Sequence, residues 1–225
     1  MPVADPTIYL VDDDERLRAA LVRLLRTLGH AVVDFNSAEA FLAAAPHGPG
    51  CLLLDVRMPQ RSGLELQAEM ARHGLTQPIV FLTGHGDIAM SVQALRAGAE
   101  DFLTKPVSRV ALSAAIERAL LRDAQQRDVA AARAARAQRL ARLSPREREV
   151  ACLLVEGQLN KQVAFALGTT ERTIKAHRAS IMHKLALRSL AELVRLWDGV
   201  AGTVAPSDAS GSPGVQPVGL RQPDR

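Results

Sequence analysis

Along residues 1–122, short apolar runs alternate with longer segments whose apolar residues recur at helical spacing. The runs are Thr7–Val11, Ala31–Phe35, Cys51–Leu54, Pro78–Leu82 and Asp101–Leu103, each of strand length. Between them, Glu15–Leu28 puts Leu17, Leu21, Leu24, Leu25 and Leu28 on one stripe. Ser37 is placed to cap a helix over 38–45, and Asp87 one over 88–97. Five strands alternating with five helices predict a parallel sheet covered on both faces.

The pattern then changes. Residues 116–142 are rich in Ala and Arg, with strong helix propensity and a poor apolar stripe. They read as an extension of the last helix serving as a linker, with a weakly patterned coiled coil as the alternative. In Ser144-Pro-Arg-Glu147 the Ser at the N-cap, Pro at the first position and Glu at the third form a capping box. Four helices follow, at about 145–156, 160–167, 171–185 and 189–199, with Gly157 and Gly168 marking two of the stops. The stretch from Ala201 carries four Gly, four Pro and three Ser and is expected to be disordered. The expected organisation is a domain over 1–122, a helical linker over 123–142, a helical domain over 143–200 and a tail over 201–225.

Composition fits an ordinary globular protein. The chain has 225 residues, 48% hydrophobic and 23% charged. At this length roughly 70% of the unfolded surface can be buried without a disulfide or metal staple. Aromatics at 3% argue against base- or sugar-stacking platforms. Cys51 and Cys152 sit in apolar runs and read as core filler in a reducing compartment. No apolar run approaches the ~18 residues of a membrane helix, and Met1-Pro-Val-Ala-Asp-Pro6 lacks the pattern of a signal peptide. A cytoplasmic protein with no membrane partner is expected.

Charge is uneven within a net +4. Residues 1–122 hold 12 Lys+Arg and 14 Asp+Glu, net −2; residues 123–142 hold 5 and 2, net +3. Residues 143–200 hold 9 and 6, net +3; the tail holds 2 and 2. The basic second part points to a polyanion, with solubility as the plainer explanation.

Ligands of an open parallel sheet sit beyond the carboxyl ends of its strands. Strand one ends in Asp12-Asp13-Asp14, strand three in Asp55, strand four in Thr83 and strand five in Thr104-Lys105-Pro106. Gathered carboxylates repel unless a cation joins them, and oxygen ligands with room for water suit Mg2+. An Asp beside such a cation can act as a nucleophile toward a phosphoryl group. Lys105 and the cation would neutralise the added phosphate, and Thr83 could donate a hydrogen bond to it. Any one of these elements alone would read as a helix cap or a solvated lysine; four at four strand ends make a site.

Val11-Asp12-Asp13, Leu54-Asp55-Val-Arg-Met-Pro59, Thr83-Gly84 and Asp101-Phe-Leu-Thr-Lys105-Pro106 resemble the receiver domain of two-component response regulators. The resemblance covers residues 7–121 in order and spacing. It implies a flavodoxin-like α/β fold with strand order 2-1-3-4-5, and Asp55 as the phosphoacceptor from a sensor histidine kinase. It implies Mg2+ on Asp12, Asp13, Asp55 and the backbone carbonyl of Arg57. It also implies that Thr83 moves toward the phosphate, that Phe102 swings inward with it, and that Lys105–Pro106 is commonly cis. The enzyme rival is a haloacid-dehalogenase-type phosphohydrolase with Asp12-Asp13-Asp14 as its Asp-x-Asp. Arg16 stands where that family carries Thr or Val, and no acidic pair follows Lys105.

In the helical part, one segment is distinctive. At ~100° per residue, Ile174, Ile181 and Leu185 form a buried stripe, while Arg172, Lys175, Ala176, Ala179 and His183 fall opposite. A major groove about 12 Å wide admits such a helix, and small side chains allow close approach. Arg178 lies at the edge of the stripe, where it should reach sideways to a phosphate. Thr169 and Thr170 can cap the helix, and its free N–H groups favour a phosphate. A solvated amphipathic helix is the plainer alternative.

Leu143-Ser-Pro-Arg-Glu-Arg-Glu149, Asn160-Lys-Gln-Val-Ala164, Thr170-Glu-Arg-Thr-Ile-Lys-Ala-His177 and His183-Lys-Leu185 resemble the LuxR-type helix-turn-helix over about 143–198. This implies an all-α, four-helix domain with 171–185 as recognition helix and Asn160 and Lys161 on the DNA backbone. The expected DNA contacts are Asn160, Lys161, Thr170, Arg172, Thr173, Lys175, Ala176, Arg178 and Ala179. A homodimer on phosphorylation or on DNA is expected, with the last helix, around Leu190, Val194 and Trp197, near the partner. His183 and Ala186 depart from the common Arg or Lys and Gly. Together the two halves are similar to LuxR/FixJ-type response regulators, which implies promoter DNA as partner and RNA polymerase as a further candidate. The non-enzymatic rival is an adaptor whose basic helix binds an acidic protein.

Overall fold

The computed structural model describes residues 5–84, 92 and 94–201. The expected cap Asp87, the first part of the 88–97 helix with Ile88 and Ala89, and the tail from 202 lie outside the described residues. The chain forms two compact units, residues 1–130 and 131–225. No described helix is long and apolar enough to cross a membrane.

The first unit runs β1 (Thr7–Val11), α1 (Glu15–Thr27), β2 (Ala31–Phe35), α2 (Ala38–Ala44), β3 (Gly50–Asp55), α3 (Gly63–Arg72), β4 (Ile79–Thr83) and β5 (Asp101–Thr104), then enters α4 (Arg109–Leu140). The strands form one parallel sheet in the expected order β2-β1-β3-β4-β5. Alternate residues feed two cores. Ile8, Leu10, Cys51, Leu53, Val80 and Leu82 pack on one face with Leu21 and Leu25 of α1 and Leu112 and Ile116 of α4. Tyr9, Val11, Leu52, Leu54, Ile79 and Phe81 pack on the other with Phe41 of α2 and Leu66 and Met70 of α3. Burying each large apolar side chain contributes roughly 1.5–3 kcal/mol. β3, buried at every position, is central. Pro78, expected to open the fourth strand, lies just before it; having no N–H, it serves only as acceptor, to Leu52 N at 2.9 Å.

The strand register aligns the functional end of the sheet. Val11 pairs with Leu54, Asp55 with Leu82, and Thr83 with Thr104. The carboxyl ends of β1, β3, β4 and β5 therefore reach one edge together. Asp14 caps α1 by accepting from Arg16 N and Leu17 N, and Ser62 and Glu65 form a capping box on α3.

α4 continues well past the sheet. Asp123, expected in a linker, is buried: its Oδ2 accepts from Gly50 N at 2.9 Å and from Arg127 Nε at 2.7 Å. Arg127 also donates to Gly48 O. From Asp128 to Gln138 every residue is exposed, so Ala and Arg propensity rather than an apolar face sustains this stretch.

The second unit comprises the end of α4 and α5 (Pro145–Val155), α6 (Asn160–Ala166), α7 (Glu171–Lys184) and α8 (Leu190–Ala201). Leu140, Leu143, Val150, Leu154, Val163, Ile174, Ile181, Leu185, Leu193 and Leu196 form its core. Ser144 and Glu147 complete the expected capping box, and Thr170 accepts from Thr173 N. Gly157 and Gly168 stop α5 and α6 at positive φ, +86° and +63°. In α8 Leu193 and Leu196 are buried, while Leu190, Val194 and Trp197 are half-buried.

Candidate functional site

At the carboxyl edge of the sheet the side-chain oxygens of Asp12, Asp13 and Asp55 all come within 4.8 Å of one another. Lys105 Nζ bridges two of them, 2.8 Å from Asp12 Oδ2 and 3.1 Å from Asp55 Oδ1. Asp12 is fully buried and its Oδ1 accepts from Asp14 N at 2.9 Å. Asp55 keeps 7% exposure, and Asp13 is open to solvent. Burial pushes the Asp55 carboxyl above its ordinary range, opposed by the Lys105 ammonium. Burial pulls Lys105 down, but its hydrogen bond to Asp12 and the pull of both carboxylates outweigh that, leaving it raised. A third acid against one ammonium leaves the pocket short of positive charge, which favours a hard cation.

The other expected residues frame this pocket. Thr83, buried at the end of β4, accepts from Lys105 N through its carbonyl at 2.6 Å. Phe102 sits half-buried on β5, its ring 6.0 Å from that of Phe81. The Lys105–Pro106 bond is cis. Arg57 follows β3 with its side chain exposed, and its backbone N–H bonds the Asp55 carboxylate.

Two supporting residues escape a reading by motif. Arg18 Nη1 donates to Asp12 O at 2.8 Å while its Nε holds Asp34 at 3.1 Å, fixing the turn that carries Asp12 and Asp13. Gly63 lies against Asp55: a Cβ there would stand 2.4 Å from the Asp55 carbonyl oxygen. The helix-period segment Glu15–Leu28 hinted at the first; Ser62-Gly-Leu-Glu65, a capping-box pattern, could have flagged the second.

In the second unit α7 buries Ile174 and Ile181 and leaves Arg172, Lys175, Ala176, Ala179 and His183 exposed, with Arg178 half-buried at the edge. Thr170 Oγ1 takes Thr173 N at 3.2 Å and lies 3.0 Å from Thr173 Oγ1. Lys161 is exposed on α6. Asn160, Lys175, Arg178 and Ala179 line one groove of about 400 Å³, and Arg188 and Ser189 form its other side. Glu147, nearly fully buried, holds α7 from behind. It accepts from Ser180 Oγ at 2.6 Å and Lys184 Nζ at 2.7 Å, and the Lys184 bond above all lowers its carboxyl to about 2. Arg139 Nη2 donates to Leu185 O at the C-cap of α7, 2.6 Å away.

Comparison with known proteins agrees with both halves. Residues 8–117 match the family model for the response regulator receiver domain, and residues 141–197 that for bacterial regulatory proteins of the luxR family. The chain is 43% identical over 209 residues to the transcriptional regulatory protein FixJ of Azorhizobium caulinodans, covering 92% of this chain and 98% of FixJ. It is 43% identical over 192 residues to the response regulator protein TodT of Pseudomonas putida, covering 85% of each. Among solved structures, the response regulator StyR aligns with a TM-score of 0.75 at 44% identity, over 87% of this chain and 99% of StyR. Full-length FixJ from B. japonicum aligns with a TM-score of 0.53 at 40% identity, over 89% and 98%.

Proposed function

The chain belongs to the response regulators that join a receiver domain to a LuxR-family DNA-binding domain, and from that premise we propose the chemistry of its two sites. It is a phosphorylation-controlled regulator of transcription. Asp55 is the phosphoacceptor. One of its carboxylate oxygens attacks the phosphorus of a phosphohistidine on a sensor kinase; the P–O bond forms, the P–N bond breaks, and the imidazole leaves with a proton from water. Asp12, Asp13, Asp55 and the Arg57 carbonyl fit Mg2+, an all-oxygen set with three carboxylates gathered within 4.8 Å. When bound, that ion supplies positive charge against the transferring phosphoryl oxygens. Lys105 supplies the protein's own, already held between Asp12 and Asp55. Thr83 then donates to a phosphoryl oxygen, and Phe102 turns inward beside it. The protein works as a switch, not as a hydrolase.

The output follows from α7. Arg172, Lys175, Ala176 and Ala179 face the major groove, with Lys175 reading bases. Arg178, Asn160, Lys161, Thr170 and Thr173 hold the backbone. Phosphorylation favours a homodimer through the face made by β5 and the residues around Val92 and Leu95, which stand exposed. A dimer presents two recognition helices to half-sites about one turn apart. The protein acts in the cytoplasm on promoter DNA, with a sensor histidine kinase upstream and RNA polymerase downstream.

The observation that carries this reading is the Asp12–Lys105–Asp55 bridge beside Asp13. Acetyl phosphate with Mg2+ should add one phosphoryl group by intact mass, and Asp55→Asn should abolish it. Stoichiometric labelling of Asp55→Asn would overturn the assignment.

A further inference from the structure

The geometry points to a DNA-phosphate subsite built around Arg188, outside the recognition helix. The groove of about 400 Å³ is walled by Asn160 at the start of α6, by Lys175 and Arg178 on α7, and by Arg188 and Ser189 just before α8. Three cations and no carboxylate line it. Elsewhere in this unit Arg146 pairs with Glu149 and Lys184 with Glu147. Lys175, Arg178 and Arg188 form no ion pair among the described residues. Like charges gathered around one concavity repel, and an anion seated between them reverses the sign. Glu192, the next acid along the chain after Arg188, is already used: its Oε2 accepts from Arg188 N at 2.9 Å, and its N–H donates to Ser189 Oγ at 3.3 Å. That reciprocal cap fixes Arg188 and Ser189 at the positive end of α8, a 12-residue helix.

The anion is a phosphodiester of the duplex rather than a base. Arg188 sits on the loop after α7, displaced from the exposed face that carries Lys175, Ala176 and Ala179, so it meets the strand flanking the groove that α7 enters. Arg178, half-buried between the two, spans from the helix to that strand. A guanidinium, a hydroxyl and an amide converging from three elements suit phosphate oxygens. This rests on α7 being the recognition helix, and it adds a contact that sets register on the backbone without reading sequence.

The test uses the full chain, phosphorylated with acetyl phosphate and Mg2+, and two fluorescent duplexes: one selected by the wild type from a random library and one of random sequence. Affinities are measured from 50 to 200 mM KCl. One phosphate contact contributes about 0.9 to the salt slope. Arg188→Ala should therefore lower the slope by about one, and the wild-type advantage should shrink about 3.5-fold across that range. The effect should be equal on both duplexes, larger for Arg188→Glu and small for Arg188→Lys. An unchanged slope, or a loss confined to the selected duplex, overturns the subsite. Titration in potassium phosphate at matched ionic strength should match KCl; a loss there that Arg188→Ala removes would assign the groove to the free anion and overturn the duplex reading. If the wild type binds neither duplex, the DNA-binding reading itself fails.

Discussion

Glu147 offers a direct test of how α7 is held. Its carboxylate lies at 4% exposure and accepts from Ser144 N at 2.8 Å, Ser180 Oγ at 2.6 Å and Lys184 Nζ at 2.7 Å. These bonds hold its carboxyl at about 2, against an ordinary 4.5. That difference is worth about 3 kcal/mol. Because the Lys184 side chain is 41% exposed, solvent screening trims it toward about 2 kcal/mol. Glu147→Gln keeps the shape but removes the charge and turns an acceptor into a donor facing Lys184 or Ser144 N. The folded state favours the ionised form, so this stability is complete above the ordinary carboxyl value and lost as pH falls from about 4.5 to about 2. Trp197 is the chain's single tryptophan and packs against the second unit's core. Its fluorescence therefore reports urea unfolding of that unit within the full chain. At pH 7 the variant's midpoint should fall by about 1–2 M, taking a urea slope near the low end of the usual 1–3 kcal/mol/M. The gap between wild type and variant should close by about pH 2–3. Equal midpoints at pH 7, or a gap that persists unchanged down to that pH, would refute the reasoning.

Three further perturbations probe residues outside the motifs. Gly63→Ala drives a methyl to 2.4 Å from the Asp55 carbonyl; a cost of about 1–3 kcal/mol and slower acetyl phosphate labelling are expected. Wild-type labelling kinetics with an unchanged melting curve would show that α3 yields freely. Asp123→Ala strands the buried Gly50 N–H and removes the partner of Arg127 Nε, which should destabilise the first unit by about 3 kcal/mol. Hydrogen exchange at the Gly50 amide and along 120–130 should accelerate while Asp55 still labels; unchanged exchange rejects the clamp. Arg139→Ala removes a charged donor from the negative end of α7, at a cost of about 1 kcal/mol. The Trp197 unfolding midpoint should fall, and Arg139→Lys should restore part of it; no difference between the two variants would deny the cap.

The strands were legible because each apolar run is short, bounded and placed between helix-period segments; a parallel sheet then has few ways to assemble. Topology did the rest for the carboxylate pocket. Once β1, β3, β4 and β5 share an edge, the residues after Val11 and at Asp55, Thr83 and Lys105 meet there whatever the loops do. What local pattern could not reveal were partners far apart in the chain. Asp123 reaches Gly50 across 73 positions, and Glu147 reaches Ser180 and Lys184 across 33 and 37. Composition marks each acid as one more charge on a helix, and only packing decides which amide or ammonium it faces. Glu147 was half visible, since its capping role needs only Ser144 three residues away, while its grip on α7 needs the tertiary fold.

The long helix shows local propensity acting where packing is absent. Over Leu112 to Ala119 it follows an apolar stripe because β-strands lie beneath it; Leu112, Ala115, Ile116 and Ala119 are fully buried. Past Arg127 no sheet lies beneath it, the stripe ends, and every residue to Gln138 is exposed. Periodicity alone would end the helix there. Alanine loses no side-chain entropy in a helix and arginine little, and nine of the fifteen residues from Asp128 to Arg142 are drawn from Ala, Leu and Gln, so propensity carries the helix on to Leu140. There an apolar residue is buried again, this time in the core of the second unit. A Gly or Pro within 130–136 should therefore break helicity locally. A glycine costs about 1 kcal/mol there and a proline about 3, because no packing is present to compensate. Circular dichroism of Ala134→Pro should lose the signal of several helical residues while Trp197 unfolding and Asp55 labelling stay as in the wild type. Loss of either would mean that this exposed stretch is held by contacts after all.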